Sequence, residues 1–576
     1  MKKLTSVFMI SVVIAFAFVL WGAIAPGNLN AVTTEIQGFI STQLGWFYLL
    51  AASGFLVFAL FLIFSPYGRI KLGKPDDQPE YGYLTWFAFL FTAGMGIGLV
   101  FWGAAEPLYH YYAPPSGDGE TTQAANDAMQ YSFFHWGLHP WAFYAVVALA
   151  LAYFKFRHDA PGVVSATFRP LIGDKVDSGW GSLINILVVF ATIFGVATSL
   201  GLGTAQVGAG LDHIFGFITN DIGTQLLIIL AITIMYMISS LTGLNRGIKY
   251  LSRANIILAL GLMAFVLIVG PTVTIMSAFT TTLGSYLQNL PAMSFNLEPF
   301  GAEGTSAWIE DWTIFYWAWW LSWAPYVGTF IARVSRGRTI REFVIGVLAV
   351  PTIFGTLWFA TFGGSAIHFD GVYGGALYDT MVDEGGGEEV ALYSLLDVLP
   401  LSEIVSVIAV LLIISFFVTS ADSATFVLGM QTTNGSLNPP VSVKFIWGII
   451  QSSAAAVLLY SGGLGALQTA AIISALPFTI IMIFMIISVI KSLRQERPNI
   501  HAERTKLREE RGRLKEEKER LKREKAQFKK EQAQLRTTRK NQRQPKQNES
   551  QDGSDAPSED DSKSEDESSS SDHDPK

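Results

Sequence analysis

Along most of this chain the apolar residues neither alternate nor keep to one helical stripe. They come in runs of about twenty, divided by short polar stretches. At about 1.5 Å of rise per residue, such a run spans the ~30 Å hydrocarbon core of a bilayer as a helix. Runs near 5–25, 46–66, 84–104, 131–154, 181–208, 224–243, 255–275, 312–332, 343–364, 402–432, 442–461 and 465–490 predict an all-α integral membrane fold with twelve transmembrane helices. Beyond residue 491 the pattern changes. Leu507, Leu514, Leu521, Phe528 and Leu535 recur every seven residues, but the second apolar position of a coiled-coil heptad stays polar. A helix without a zipper core is expected there.

Two runs are interrupted. The third carries Gly94-Met95-Gly96-Ile97-Gly98, then Phe101-Trp102-Gly103-Ala104-Ala105-Glu106-Pro107. Each glycine weakens a helix by about 1 kcal/mol relative to alanine. Either these glycines let another helix pack closely, or the segment is unwound at mid-membrane and its free backbone groups bind substrate and ions. The eighth run holds Trp312, Trp317, Trp319, Trp320 and Trp323 and is broken by Pro325 and Gly328. Tyr316, Trp320 and Trp323 share a helical stripe, overlapped by Trp319, Trp323 and Tyr326. Trp312 fits an interfacial belt. The deeper rings either pack the core or surround a quaternary ammonium by cation–π attraction, worth about 2 kcal/mol per well-placed desolvated ring. The third and eighth runs lead successive groups of five, which points to a binding site between inverted repeats.

Loop charges orient the helices, since Lys and Arg gather on the cytoplasmic side. Loops 67–82, 155–180, 244–254, 333–342 and 433–444 hold fifteen basic residues and the alternating loops none. Both termini are then cytoplasmic, and loop 365–401, with seven acidic residues and no basic one, faces outward. Lys2, Lys3 and Ala23-Ile24-Ala25 imitate a secretory signal. The first run is longer than a signal's and Pro26 follows it, so a retained helix is expected.

Composition narrows the chemistry. Half of the residues are hydrophobic and only 15% charged, against about a quarter in soluble domains. No cysteine is present, which excludes disulfides, thiol catalysis and zinc–cysteine sites. His135 and His139 stand four apart with no third ligand in a metal motif and read as ordinary polar contacts. There is no H-E-x-x-H, G-x-S-x-G or Walker A motif, and no ring of like groups for a channel filter. A transporter remains. In the tenth run Thr419, Ser420 and Asp422 put hydroxyls and a carboxyl inside an apolar span. An intramembrane ionisable group is a functional candidate by default.

The stretch from Asp311 to Arg341, with Arg333, Arg336, Arg338 and Arg341 after its tryptophans, closely resembles the signature of the betaine/carnitine/choline transporter family. The glycine motif and the aromatic residues of the fourth run agree, and the resemblance covers roughly residues 1–490. It implies a LeuT-type five-plus-five inverted repeat with two extra N-terminal helices. These are 1–66 for the extra pair, 84–275 for the first repeat, 276–300 for a curved amphipathic helix between subunits of a homotrimer, and 308–490 for the second repeat. It further implies a sodium-coupled symporter of a bacterial cytoplasmic membrane, importing glycine betaine or a related trimethylammonium osmolyte. The substrate residues would be Gly94, Met95, Gly96, Gly98, Trp136, Trp141, Tyr144, Trp317, Trp319, Trp320 and Trp323. Na+, the coupling ion, would bind Thr92, Met95, Phe416, Thr419 and Ser420 at one site and Thr192 and Tyr326 at another. Some sodium-coupled members carry two threonines four apart at that second site; here the second is Val196. Choline uptake and sodium-independent carnitine exchange are the alternatives, although Gly98 stands where choline-type members often have Asp. No cofactor and no nucleic-acid partner are expected.

Residues 491–546 carry a net charge of +12, and residues 549–576, rich in serine, carry −9. The expected arrangement is a basic cytoplasmic helix over 491–546 lying on anionic lipid, followed by a disordered acidic tail over 547–576. The family resemblance implies osmotic regulation through this terminus.

Overall fold

The structure, a computed structural model, describes residues 5–94, 96–242, 245–300, 305–382 and 385–541. Among the described residues it is helical, with one isolated β-bridge between Lys71 and Thr339 and no strand. Nine helices there are long and apolar enough to cross a membrane. The other expected spans take different forms. The third is two short helices, Tyr83–Gly94 and Ile97–Tyr112. The eighth is Phe315–Val334, whose indoles dilute its hydropathy. The last two lie in one apolar stretch, Val441–Glu496, with non-helical angles at Gly462 and Gly463.

Several boundaries move. Residues 26–45, expected as a loop, are helical: Pro26 opens the helix Pro26–Phe64, at a first-turn position where its missing N–H costs nothing. The preceding helix Ser6–Ile24 is capped by the Thr5 hydroxyl, which accepts from Phe8 N at 3.1 Å. The fourth run divides at Gly137 into Thr122–Trp136 and Leu138–Ala152, a break the apolar pattern did not announce. Tyr286 holds that break, its hydroxyl accepting from Leu138 N at 2.9 Å. Tyr286 belongs to Thr272–Ser294, the amphipathic helix expected near 276–300. The break expected at Pro325 and Gly328 is absent, and Phe315–Val334 runs through both. Gly328 serves close packing instead, since a Cβ there would lie 2.7 Å from Val147 Cγ1.

The central pairings set the site. Leu138–Ala152 lies along Phe315–Val334, Ile97–Tyr112 along Ile340–Val372, and Gly179–Phe215 along Ser402–Gln431. At one end the arginines of the Trp-rich signature are structural staples. Arg338 stacks over Tyr83 and Trp86 at 4.3 and 4.4 Å and donates to Tyr81 O at 2.6 Å. Arg341 Nε donates to Ile63 O at 2.7 Å. Arg336 pairs with Asp77, holding that carboxyl below the usual range. These contacts clamp the chain after Pro26–Phe64 to the chain after Phe315–Val334.

Residues from Pro498 onward form a second unit. Its described part is helical through Asn541, and Leu514, Leu521, Phe528 and Leu535 are 52%, 49%, 62% and 64% exposed. These four heptad residues thus form no core within the described part of this unit, and the Leu507 side chain lies outside the described residues. The acidic segment 547–576 lies outside the described residues.

Candidate functional site

The site grows from the break in the third run. Tyr83–Gly94 ends and Ile97–Tyr112 begins within three residues, and Gly96 opens the second helix with φ −146° and ψ −149° and no capping side chain. The first amides of a helix lack intrahelical partners, and the helix dipole places partial positive charge there. Around this end lies a cavity lined by Gly94, Gly96, Gly98, Leu99, Trp136, Tyr144, Trp319, Trp320 and Trp323. Its volume is about 10 Å³, room for about one water molecule.

The walls of the cavity touch one another. Trp136 meets Trp320 edge-on with ring centroids 5.1 Å apart and Trp319 at 6.1 Å, and Tyr144 lies 5.3 Å from Trp320. Glycine lets the backbone approach these rings. A Cβ on Gly94 would sit 2.4 Å from Trp141 Cη2, and one on Gly98 2.3 Å from Trp319 Cη2. Among the described residues, the indole N–H groups of Trp141, Trp319, Trp320 and Trp323 and the Tyr144 hydroxyl are buried without hydrogen-bond partners. Each such group costs about 1–3 kcal/mol. A small ligand with an alkylated cation at one end and a carboxylate at the other matches both features. The π faces suit the cation, and the unpaired donors with the helix N-terminus suit the anion.

Not every expected residue lines the cavity. Trp141 backs it, 5.5 Å from Tyr144 and 6.1 Å from Trp320. Trp317 is a correction: it is fully buried on another face, stacked on His139 at 5.2 Å and against Phe134 and Phe143 at 5.0 and 5.6 Å. At about 100° per residue it falls beyond the stripe shared by Tyr316, Trp319, Trp320 and Trp323. Trp312, expected at the membrane interface, is half-buried and packs on His110 and Trp102 at 4.5 and 5.6 Å. His135 and His139 do not converge. His139 meets Ser294 Oγ at 3.2 Å, whereas His135 binds Glu106 and Thr313.

The ion-site residues are scattered in what they do. Met95 and the Thr92 side chain lie outside the described residues. Ser420 is beside the break, its Oγ 3.9 Å from where a Cβ on Gly96 would be. The Thr419 hydroxyl reaches Ser415 O and Phe416 O at 3.0 and 3.1 Å and accepts from Asn255 Nδ2 at 3.1 Å. Phe416 is buried beside it. Thr192 is buried and donates to Val188 O at 2.8 Å in its own helix. Tyr326 lies one turn beyond Trp323, ring to ring at 5.7 Å, and lines a second cavity of about 430 Å³. Thr329, Arg333, Asp422, Ser423, Lys155 and Lys444 line it too.

Glu106, in the stretch that follows the glycine motif, is a site residue that the sequence pattern leaves without a role. It is fully buried and accepts from the Trp136 indole, so it touches the cavity wall from behind. The signal was available, since a carboxyl inside an apolar run is the feature that singled out Asp422.

The sequence profile of the BCCT, betaine/carnitine/choline family transporters matches residues 6–498. The chain is 56% identical over 503 residues to the glycine betaine transporter OpuD of Bacillus subtilis (strain 168), covering 87% of this chain and 96% of that protein. It is 44% identical to a probable glycine betaine transporter of Desulfitobacterium hafniense (strain Y51), over 86% of this chain and 99% of that one. It is also 44% identical to an ectoine/hydroxyectoine transporter of Virgibacillus pantothenticus, over 84% and 95%. The aromatic cavity at a broken helix and the family match over the whole helical body agree: this chain belongs to the betaine/carnitine/choline transporter family and is a transporter rather than an enzyme.

Proposed function

We propose that this protein is a sodium-coupled symporter that imports glycine betaine or a related trimethylammonium osmolyte across the cell membrane. The observation that carries the reading is the aromatic cavity at the N-terminus of Ile97–Tyr112, with five donors in and behind its walls buried without partners among the described residues; at about 10 Å³ its rings must part to admit a betaine. Three or four rings at roughly 1–2 kcal/mol each correspond to a millimolar-to-micromolar constant, suited to an abundant osmolyte. The named relatives at 56% and 44% identity favour betaine over choline and carnitine.

Twelve spans in a five-plus-five inverted repeat account best for the helices. Exchanging the third to seventh spans for the eighth to twelfth turns the fourth–eighth pairing into the ninth–third and leaves the fifth–tenth unchanged, and these are the three central pairings. With basic loops inside, the 430 Å³ cavity opens to the cytoplasm and is the exit from the cage. Thr419 and Ser420, with backbone carbonyls of the broken helix, supply neutral oxygens suited to a hard cation. One sodium at about 100 mV and a tenfold gradient supports roughly 500-fold accumulation. A homotrimer is supported by the exposed Val273, Met276 and Leu287 on the amphipathic helix. The basic tail helix, by binding anionic lipid, would restrain transport in dilute medium.

Uptake of labelled betaine into proteoliposomes tests the reading. It should be saturable, accelerated by an inward sodium gradient, and competed by trimethylammonium compounds more strongly than by ectoine or proline. Uptake indifferent to sodium at every gradient would refute the symport, and preference for ectoine would reassign the substrate.

A further inference from the structure

The cage is described above by its rings, but one carboxylate behind them belongs to it. Glu106 is fully buried in Ile97–Tyr112. Its Oε2 accepts from the Trp136 indole N–H at 2.8 Å and from the Tyr316 hydroxyl at 2.7 Å. Its Oε1 faces His135 Nδ1 at 2.7 Å and His110 Nε2 at 3.3 Å. Its hydrogen-bond partners are thus an indole, a phenol and two imidazoles, with no lysine or arginine among them. We propose that Glu106 is a positioning and specificity residue of the cage, acting through Trp136 and Tyr316 to set its affinity for quaternary ammonium ligands. This rests on the cage reading of the cavity.

Three features carry it. Trp136 is the last residue of Thr122–Trp136, just before the break at Gly137, so no following turn fixes it. An indole N–H can only donate. Glu106 therefore holds that ring edge-on to Trp320, and turning the ring would leave a buried oxygen short of a donor. Tyr316 lies one turn before Trp319 and Trp320, so the same oxygen ties the Trp-rich helix to Trp136 from a third helix. Finally, a carboxylate accepting from the Trp136 indole N–H adds negative potential to a ring that lines the cavity, which strengthens its pull on a cation in a water-poor site.

Glu106, His110 and His135 also bring ligand atoms within 4.8 Å of one another, a spacing that suits a metal ion. Here Oε1 already bridges both imidazoles, and His135 Nε2 is taken by Thr313 Oγ1 at 2.9 Å. The trio is a hydrogen-bond network in which His110 Nδ1 alone is left without a partner among the described residues.

A mutant cycle in proteoliposomes tests the assignment, with betaine KM and Vmax and the detergent unfolding midpoint measured for each variant. Glu106→Gln keeps the shape and removes the charge, and should raise KM about tenfold with Vmax within about twofold, the scale of one weakened cation–π contact. Trp136→Phe keeps a ring and removes the N–H; in that background the same glutamine should raise KM only about threefold or less. Equal effects in both backgrounds, an unchanged KM, or a fall in Vmax alone would overturn the proposal. If the glutamine variant does not insert, Trp136→Phe and Tyr316→Phe carry the test. Each should raise KM about threefold, and unchanged KM in both overturns it. Trp320→Ala, run in parallel, separates the two readings. If it leaves KM unchanged, the cage itself fails; if it raises KM while Glu106→Gln does not, only the role of Glu106 fails.

Discussion

Trp320 and Trp317 are three residues apart and have different jobs. Trp320 touches Trp136, Trp141 and Tyr144 around the cavity, whereas Trp317 is enclosed by His139, Phe134 and Phe143. Trp320→Ala and Trp323→Ala should each raise the betaine uptake constant at least about tenfold while the protein inserts normally. Trp317→Ala should act on stability instead, at about 3–5 kcal/mol for a fully buried indole, leaving the KM of the surviving protein close to wild type. A wild-type KM in both cavity variants would show that the rings only pack. Gly98 makes the complementary point. Gly98→Ala puts a methyl 2.3 Å from the Trp319 ring, so uptake should fall at least about tenfold unless the ring moves aside. Legibility at this scale was partial. The indole cluster could be read directly because residue type and helical spacing define its stripe, but the helix is buried on nearly every side, so which face meets the cavity depends on its neighbours, and this misplaced Trp317.

Among the elements, the break between Tyr83–Gly94 and Ile97–Tyr112 and the unbroken Ser402–Gln431 meet at Ser420 and Gly96. If sodium binds there, Ser420→Ala should raise the sodium constant at least about tenfold, measured as the sodium dependence of initial uptake, with betaine KM at saturating sodium changed much less. Thr192→Ala, whose hydroxyl is committed to Val188 O, should change it less than about twofold. A reversed order would move the ion to the other site. A second element titrates. Glu389, in the short turn Glu388–Val390 of the acidic segment 365–401, has its carboxyl pushed up to about 7 by burial, with Asn220 Nδ2 at 3.2 Å and Glu388 adjacent. The folded state therefore binds a proton that the unfolded state releases near pH 4.5, so stability falls as pH rises between about 4.5 and 7. Glu389→Gln should flatten that slope and raise the unfolding midpoint near pH 7.5 by about 1–2 °C; an unchanged slope in detergent melts would reject the assignment.

For the molecule as a whole, residues up to Arg497 and residues from Pro498 form separate units. Deleting residues 501–576 should leave betaine uptake within about twofold of the full chain and abolish its stimulation by osmolality in anionic liposomes. The basis is a +12 segment whose attraction to anionic lipid fades within about 8–10 Å as internal salt rises. Full osmotic activation after deletion would place the sensor in the body.

The twenty-residue apolar runs, the one-sided loop charges and the indole-rich helix were legible without coordinates. Each follows from a solvent rule that acts locally: hydrocarbon must be crossed by a closed backbone, cations stay inside, and indoles deep within a span, away from the interface, need partners there. The glycine motif was legible as a weak point, and its unwinding at Gly96 bears that out. What no run of residues could reveal was how distant pieces satisfy one another. Pro325 and Gly328 looked like a second break, yet packing on Val147 keeps that helix continuous. Gly137 looked unremarkable, yet Tyr286 from a helix some 150 residues later holds a break there. Glu106 looked like one acidic residue in a motif, and only the convergence of Trp136, His135 and Tyr316 from two other helices, with His110 of its own, makes it part of the cage. Local composition decides which segments enter the membrane; pairing of buried polar groups and close-packed shape, set by contacts far apart in the chain, decides which side chains meet.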